Sequence, residues 1–217
     1  MNTKIKNIIF DLGGVVLDID ENVVYKELEK LGVNVSELTH SKEFIEIMSK
    51  FDTGIYTAPT FRKKTKELLG FEKMTDQKFD SIWNSMLLDI PRERIEALEQ
   101  IRKHYKIFLM SNSNEIHYDL YIRDLQLRFG YDEFDKLFNK SYFSFDIHLE
   151  KPDPRFFEFI LDHEKLLPEE TLFIDDMAAN IKTAKSLGIK TYHISRDELV
   201  RNLFVNGILK DEISKML

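Results

Sequence analysis

The chain of 217 residues carries 31 basic against 38 acidic side chains, a net charge of −7, with hydrophobic residues at 43% and charged ones at 32%. That is room for one large domain, or a core with a small inserted one, and the composition of an ordinary globular protein rather than a fibre, a repeat array or a disordered tail. The absence of cysteine removes disulfides, thiolate-bound zinc, iron–sulfur clusters and thiol nucleophiles, and the charge has the wrong sign for a protein that holds nucleic acid by neutralising phosphates.

Lys4 and Lys6 precede an apolar run that Asp11 interrupts too early for an export signal. No stretch approaches the roughly 20 apolar residues of a membrane span. The expectation is a cytoplasmic protein with neither a membrane nor a nucleic-acid partner.

In chain order, Ile5 to Phe10 reads as a buried strand ending at Asp11 and running into Gly13-Gly14. Glu21 to Leu31 then places Val24, Leu28 and Leu31 on one helical face and stops at Gly32. Thr75 opens a second helix containing Phe79, Ile82, Trp83 and Met86. The interval between the first strand and the next is too long for a crossover helix and holds almost no strand signal. It predicts an inserted helical bundle over residues 18–88, with residues 1–17 and 89–217 as the core domain. Pro91 starts a core helix through Ile95, Leu98 and Ile101, and Lys106 to Met110 is the second strand. Tyr142 to Ile147 is a further strand candidate, and Thr171 to Ile174 and Ile189 to Ile194 complete the set. Phe143, Phe145, Phe156, Phe157 and Phe159 read as core, and Ser195 to Leu217 is expected to end in a helix packed on the core or on a partner. Strands alternating with helical segments specify an α/β fold, a Rossmann-like three-layer parallel-sheet core.

Ligands of such sheets gather beyond the carboxyl ends of the strands, so the residues ending each strand carry the chemistry. They are Asp11 after IIF, Ser111 and Asn112 after IFLM, and Asp175 with Asp176 after TLFI; Lys151, in HLEKPDP, precedes the helix opened by the Pro152-Asp153-Pro154 turn. Singly, each has a bland reading as a turn, a cap or a solvated charge. Together, three carboxylates and one ammonium at one sheet edge need compensation, and a divalent cation plus a phosphate supplies it.

In this order of motifs the chain resembles the haloacid dehalogenase superfamily, mostly phosphatases: a strand-end Asp at 11, a strand-end Ser at 111, a Lys before Pro at 151 and an acidic pair at 175 and 176. The stretches FDLGGVVLDID and SNSNEIH are similar to the glucose-1-phosphate phosphatase group, and the helical insert resembles the cap placed between the first two motifs. The resemblance implies a Mg²⁺-dependent phosphatase of a small phosphorylated metabolite, with Asp11 as nucleophile through an aspartyl phosphate and Lys151 offsetting charge on Asp11 and the phosphoryl group. It implies Ser111 and the Asn112 backbone N–H on phosphoryl oxygens. The metal ligands would be Asp11, the Gly13 carbonyl, Asp176 directly, and Asp175 directly or through water. Asp176 follows from register, since Asn180-Ile181 matches the second polar position of the last motif.

One position departs from the family pattern. Gly13 stands where these phosphatases commonly carry a second Asp that protonates the leaving oxygen, a function typically contributing about 10²–10⁴-fold. The expectation is a sugar phosphate, with an anomeric 1-phosphate favoured because its leaving oxygen needs least help. Asp18 and Asp20 are alternative acids or hydroxyl acceptors, with helix capping as the preferred reading for Asp20. Gly54, Tyr56 and Phe61 resemble a cap turn that faces substrate, against a plainer reading as cap core, and Arg62-Lys63-Lys64 reads as a solvated helix face able to attract an anion. Two other accounts compete: a metal-independent dehalogenase-type hydrolase, which also lacks the second Asp, and a catalytically impaired phosphate-binding regulatory protein. The histidines at 104, 117, 148, 163 and 193, five of the six in the chain, show no metal-ligand spacing. No oligomeric state follows from the residues.

Overall fold

The computed structural model describes residues 4–195 and 198–217. Residues 1–3 of the expected core domain and 196–197 of the expected C-terminal segment lie outside the described residues. The first strand, β1 (Asn7–Phe10), is buried at every position, which is why it reads as an unbroken apolar run rather than an alternating one. The short strand β2 (Asp18–Ile19) follows, and then five helices: α1 (Glu21–Lys30), α2 (Val35–His40), α3 (Lys42–Asp52), α4 (Ala58–Leu69) and α5 (Asp76–Trp83). Asp20 caps α1 by accepting from the Asn22 N–H at 3.0 Å, and Thr75 caps α5 by accepting from Lys78 N–H at 3.3 Å. The chain returns through β3 (Leu87–Asp89), antiparallel to β2, so it leaves and re-enters the α/β body side by side.

From there the elements alternate: α6 (Arg92–Ile101), β4 (Lys106–Ser111), α7 (Glu115–Phe129), β5 (Lys140–Phe143), the one-turn α8 (Ser144–Ile147), α9 (Pro154–Glu164), β6 (Thr171–Asp175), α10 (Ala178–Ser186) and β7 (Lys190–His193). A small hairpin, β8 (Phe204–Val205) with β9 (Ile208–Leu209), and α11 (Asp211–Met216) close the chain. The five long strands form one parallel sheet in the order β5-β4-β1-β6-β7. Strand β1 is central, Phe10 lying beside Leu109 on one side and Ile174 on the other. Chain order turns outward in both directions from β1, so the crevice at its carboxyl end is the topological switch point.

Alternation along the strands feeds an apolar layer on each face. Phe10, Leu109 and Ile174 join one; Ile9, Phe108 and Phe173 join Phe156 and Phe157 in the other. A third cluster lies among α1–α5, where Phe61 stacks on Phe51 at 3.9 Å and meets Phe79 and Trp83. Ile116, at the start of α7, belongs to that cluster and seats the helical insert on the α/β body. At Gly54 the contact is backbone to backbone: φ is +69°, and a Cβ there would lie 2.1 Å from the Phe145 carbonyl oxygen.

Three expectations change. The strand expected over Tyr142–Ile147 ends at Phe143, opposite Ser111, the last residue of β4, and with no partner beyond it the chain turns into α8. Ser144 there donates to Asp52 O at 2.5 Å and accepts from Ser113 N–H at 3.0 Å. The β2–β3 ribbon is too short to show alternation in sequence. Phe159 is 37% exposed, stacked on His163 rather than in the core. The final helix packs on the core, with Ile213 buried in its larger cluster.

Truncating Phe61 empties the centre of the insert's cluster, a change that typically costs about 3–5 kcal/mol. In denaturant titrations Phe61→Ala is expected to lose stability on that scale, whereas Leu127→Ala, at a position 79% exposed, stays close to the parent chain.

Candidate active site

The switch point brings the strand-end residues together. Asp11 extends β1 by one residue, its N–H donating to Ile174 O at 3.0 Å, and Asp175 ends β6. Lys151 comes from the loop ahead of α9, and its Nζ lies 2.7 Å from Asp11 Oδ1 and 2.8 Å from Asp175 Oδ2. Exposures of 5% for Lys151, 7% for Asp11 and 0% for Asp175 make this an ion triad largely withdrawn from water. The Asn112 side chain places Lys151: its Oδ1 accepts from the Lys151 N–H and its Nδ2 donates to the Lys151 carbonyl, both at 2.8 Å.

Asp175 is engaged on both oxygens. Oδ1 accepts from Met177 N–H at 2.7 Å and Oδ2 from Lys151, while Asn180 Nδ2 reaches both at 3.1 and 3.0 Å. Asn180, used above to set the register on Asp176, thus bonds to Asp175. Asp176 lies against Gly14: a Cβ on that residue, whose φ is +75°, would sit 2.6 Å from Asp176 Oδ2. One carboxylate oxygen from each of Asp11, Asp175 and Asp176 fits within 4.8 Å of the others. Hard carboxylate donors, with neither sulfur nor imidazole in the set, suit Mg²⁺. Gly13 is beside them with no side chain. A Cβ there would meet Ile19 Cδ1 at 2.9 Å, so an apolar methyl stands where a second acid would project.

Burial pushes the Asp11 carboxyl well above the usual carboxylate range; Lys151 pulls it down and Asp175 pushes it further up. For Lys151 burial acts to lower the pKa, and the two carboxylates outweigh it, so the net shift is upward. One ammonium cannot satisfy two buried carboxylates, and the site is short of positive charge.

Next to the triad opens a cavity of about 520 Å³ between the helical insert and the α/β body, its lining divided between polar residues, Asn112, Ser113, Asn114, Ser49, Asp52 and Glu150, and apolar ones, Val24, Phe44, Met48 and Trp83. Sequence reasoning missed most of its polar wall. Asp52 Oδ1 accepts from Asn114 Nδ2 at 3.1 Å, and Ser49 Oγ donates to Glu150 Oε1 at 2.6 Å. Burial, and then the charge on Glu150, push Asp52 up to about 7 against the pull of Asn114. His117, stacked on Trp83 at 5.7 Å, is brought down to about 4 by burial and is a neutral imidazole. The one available signal was local: Asn114 and His117 lie within the SNSNEIH stretch already singled out, whereas nothing in the sequence marks Asp52.

The remaining expected residues lie elsewhere. Asp18 pairs with Arg94 at 2.6 Å, and Asp20 caps α1. Phe61 is in the insert's core, Tyr56 sits beneath Lys50 and Lys64, and neither lines the cavity. Arg62 makes a two-point pair with Asp80 at 2.7 and 2.8 Å, tying α4 to α5 rather than facing an anion. Ser111 is buried, with Oγ 3.3 Å from Asn112 O.

Comparison with known proteins bears on this arrangement. The family model for haloacid dehalogenase-like hydrolases matches residues 5–188. The D-ribitol-5-phosphate phosphatase of Bacteroides thetaiotaomicron is 30% identical over 87% of this chain and 91% of its own, and the phosphorylated carbohydrates phosphatase of Thermotoga maritima is 23% identical over 84% and 82%. A crystal structure of a haloacid dehalogenase family enzyme from B. thetaiotaomicron, in complex with magnesium and inorganic phosphate, superposes with a TM-score of 0.84 at 31% identity, covering 93% of this chain and 100% of that one. Among the described residues no helix is long and apolar enough to cross a membrane.

Asp52 has a stability signature. A carboxyl whose pKa is raised from 3.8 to about 7 on folding contributes stability that is full below the unfolded value and is lost as pH rises through the folded one. Asp52→Asn, neutral throughout and still able to accept from Asn114, is therefore expected to melt above the parent at about pH 8 and level with it at about pH 4. Parallel thermal scans check this; a gap that stays constant across that range contradicts it.

Proposed function

The chain belongs to the haloacid dehalogenase-like hydrolases, and from the geometry of its site we propose that it hydrolyses phosphate monoesters of sugars or sugar alcohols with Mg²⁺ as cofactor. The observation that carries this reading is the Lys151 ammonium held between Asp11 and Asp175 at the sheet switch point, with Asp176 within reach. The named activities of the two curated relatives, both on phosphorylated carbohydrates, support it.

In this account residues 18–88 form the cap and the remainder the catalytic body. The Asp11 carboxylate attacks phosphorus, the bond from phosphorus to the leaving oxygen breaks with that oxygen taking a proton from solvent, and an aspartyl phosphate forms. Water then attacks phosphorus, giving its proton to solvent, and the bond from phosphorus to the Asp11 oxygen breaks, releasing phosphate and regenerating the carboxylate. Lys151 orients Asp11 through Oδ1 and offsets charge on the phosphoryl oxygens, which Ser111 Oγ and the Asn112 N–H would hold. The Asn112 side chain, engaged with the Lys151 backbone, positions rather than binds. Asp11, Asp176 and the Gly13 carbonyl would hold Mg²⁺, with Asp175, already carrying Lys151 and Asn180, reached through water. When bound, the ion supplies positive charge at the nucleophile and the transferring group. This acidic trio speaks against a metal-independent dehalogenase.

A narrower reading, a sugar 1-phosphate, is favoured by Gly13 and the Ile19 methyl that backs it, because no acid there protonates the leaving oxygen. The likeness to a ribitol-5-phosphate phosphatase favours a primary ester. Assays on both esters decide between them.

Asp11→Asn is expected to lower turnover of p-nitrophenyl phosphate by at least about a thousandfold with the fold intact by circular dichroism. Chelation of Mg²⁺ should abolish activity, and its return restore it. Metal-independent turnover of a 2-haloacid would overturn the proposal. Building the missing acid in the double variant Gly13→Asp, Ile19→Ala should raise turnover of primary alkyl phosphates relative to p-nitrophenyl phosphate, within the roughly 10²–10⁴-fold range of acid catalysis.

A further inference from the structure

The cavity beside Asn112 has an acidic lining. Lys151 lies outside its lining, bonded through its backbone to Asn112, whereas the wall supplied by the insert and the loop ahead of Lys151 carries Glu21, Asp52 and Glu150, with no lysine or arginine among the described lining residues. His117, the one imidazole in that wall, is neutral. Asp52 and Glu150 come from opposite sides, α3 and the loop before α9, and each is anchored by a neighbour across the cleft, Asn114 for Asp52 and Ser49 for Glu150. The rest of the lining is largely apolar, with Phe44, Met48 and Trp83.

Resting on the phosphatase reading above, we infer that the substrate carries its phosphate as the only anion, on an uncharged polyhydroxy alcohol whose hydroxyls donate to Asp52 and Glu150, and that these carboxylates exclude esters bearing a second phosphate or a carboxylate. The physical reasons are two. A second anion in that space would lie against like charge in a partly dewatered cavity with no cation to offset it. A hydroxyl can donate to either carboxylate while its carbon skeleton lies on the apolar wall, the pairing of few polar groups with apolar surface that small-molecule sites use. Selectivity then comes from rejection as much as from attraction.

The test is a kcat/KM panel at about pH 8, above the value of about 7 to which burial raises Asp52, with saturating Mg²⁺: p-nitrophenyl phosphate, ribitol 5-phosphate and glucose 1-phosphate as single-anion esters, against phosphoglycolate, 3-phosphoglycerate and fructose 1,6-bisphosphate. The expected result is a preference of about tenfold or more for the better polyhydroxy ester over every doubly anionic one. In the double variant Asp52→Asn, Glu150→Gln that ratio should shrink by about tenfold, while Glu96→Gln, remote from the cavity, leaves it unchanged. Activity on p-nitrophenyl phosphate with phosphoglycolate or a bisphosphate preferred would overturn the inference and leave the phosphatase reading standing. So would an unchanged ratio in the double variant. Failure to hydrolyse any ester of the panel, p-nitrophenyl phosphate included, would sink the phosphatase reading and the inference with it.

Discussion

One ammonium shared by two buried carboxylates is the constraint around which the rest is arranged. Lys151 bonds to Asp11 and Asp175, and with Asp176 alongside, three carboxylates face one ammonium and leave the two negative charges that a single divalent cation matches. Burying such an imbalance is expensive unless a ligand corrects it, so the triad is no stabilising salt bridge by itself, and in the proposed function it receives a cation and a phosphoryl group. Its geometry is over-determined. Asp11 and Asp175 are fixed by neighbouring parallel strands, and Lys151 by one hydrogen bond given to and one taken from the side chain of Asn112, itself just beyond the end of the next strand.

The helical insert supplies one wall of the cavity and is locked to the body at the same place. The end of α3 touches α8 through Ser144 and Asp52 O, the loop ahead of Lys151 through Ser49 and Glu150, and the start of α7 through Asp52 and Asn114. His148 adds a contact to Thr53 O at 2.8 Å, and the backbone at Gly54 is pressed against Phe145. In the proposed function, phosphoryl chemistry and leaving-group recognition therefore reside on different parts of the chain that meet across one cleft. On that proposal, reshaping the wall that α1, α3 and α5 present would alter which ester is accepted without moving Lys151.

How much of this was legible in the sequence follows from the physics of each element. Strands buried on both faces are continuous apolar runs, so β1, β4 and β6 and the polar residues that end them are plain to read, and Asp11, Ser111 and Asp175 follow. Strand β5 was blurred because the aromatic run through Phe145 suits either conformation; only the exhaustion of its partner β4 ends it. The insert was legible as helical but not in its orientation. Asp18 was expected as an alternative acid and faces Arg94, while Asp52 ends a helix like many surface carboxylates and reaches the cleft only because α3 docks there. Burial and pairing of that kind depend on contacts distant in sequence, which no local pattern encodes.

The central claim is that Asp11 carries the phosphoryl group between the two chemical steps. It is tested most directly by mixing enzyme, Mg²⁺ and a ³²P-labelled ester, quenching in acid within one turnover, and mapping the labelled peptide by mass spectrometry. The account predicts acid-stable, hydroxylamine-labile label on the peptide containing Asp11, formed no more slowly than phosphate is released. Release of phosphate at full rate with Asp11 unlabelled at every time point, or label on another side chain, would contradict it.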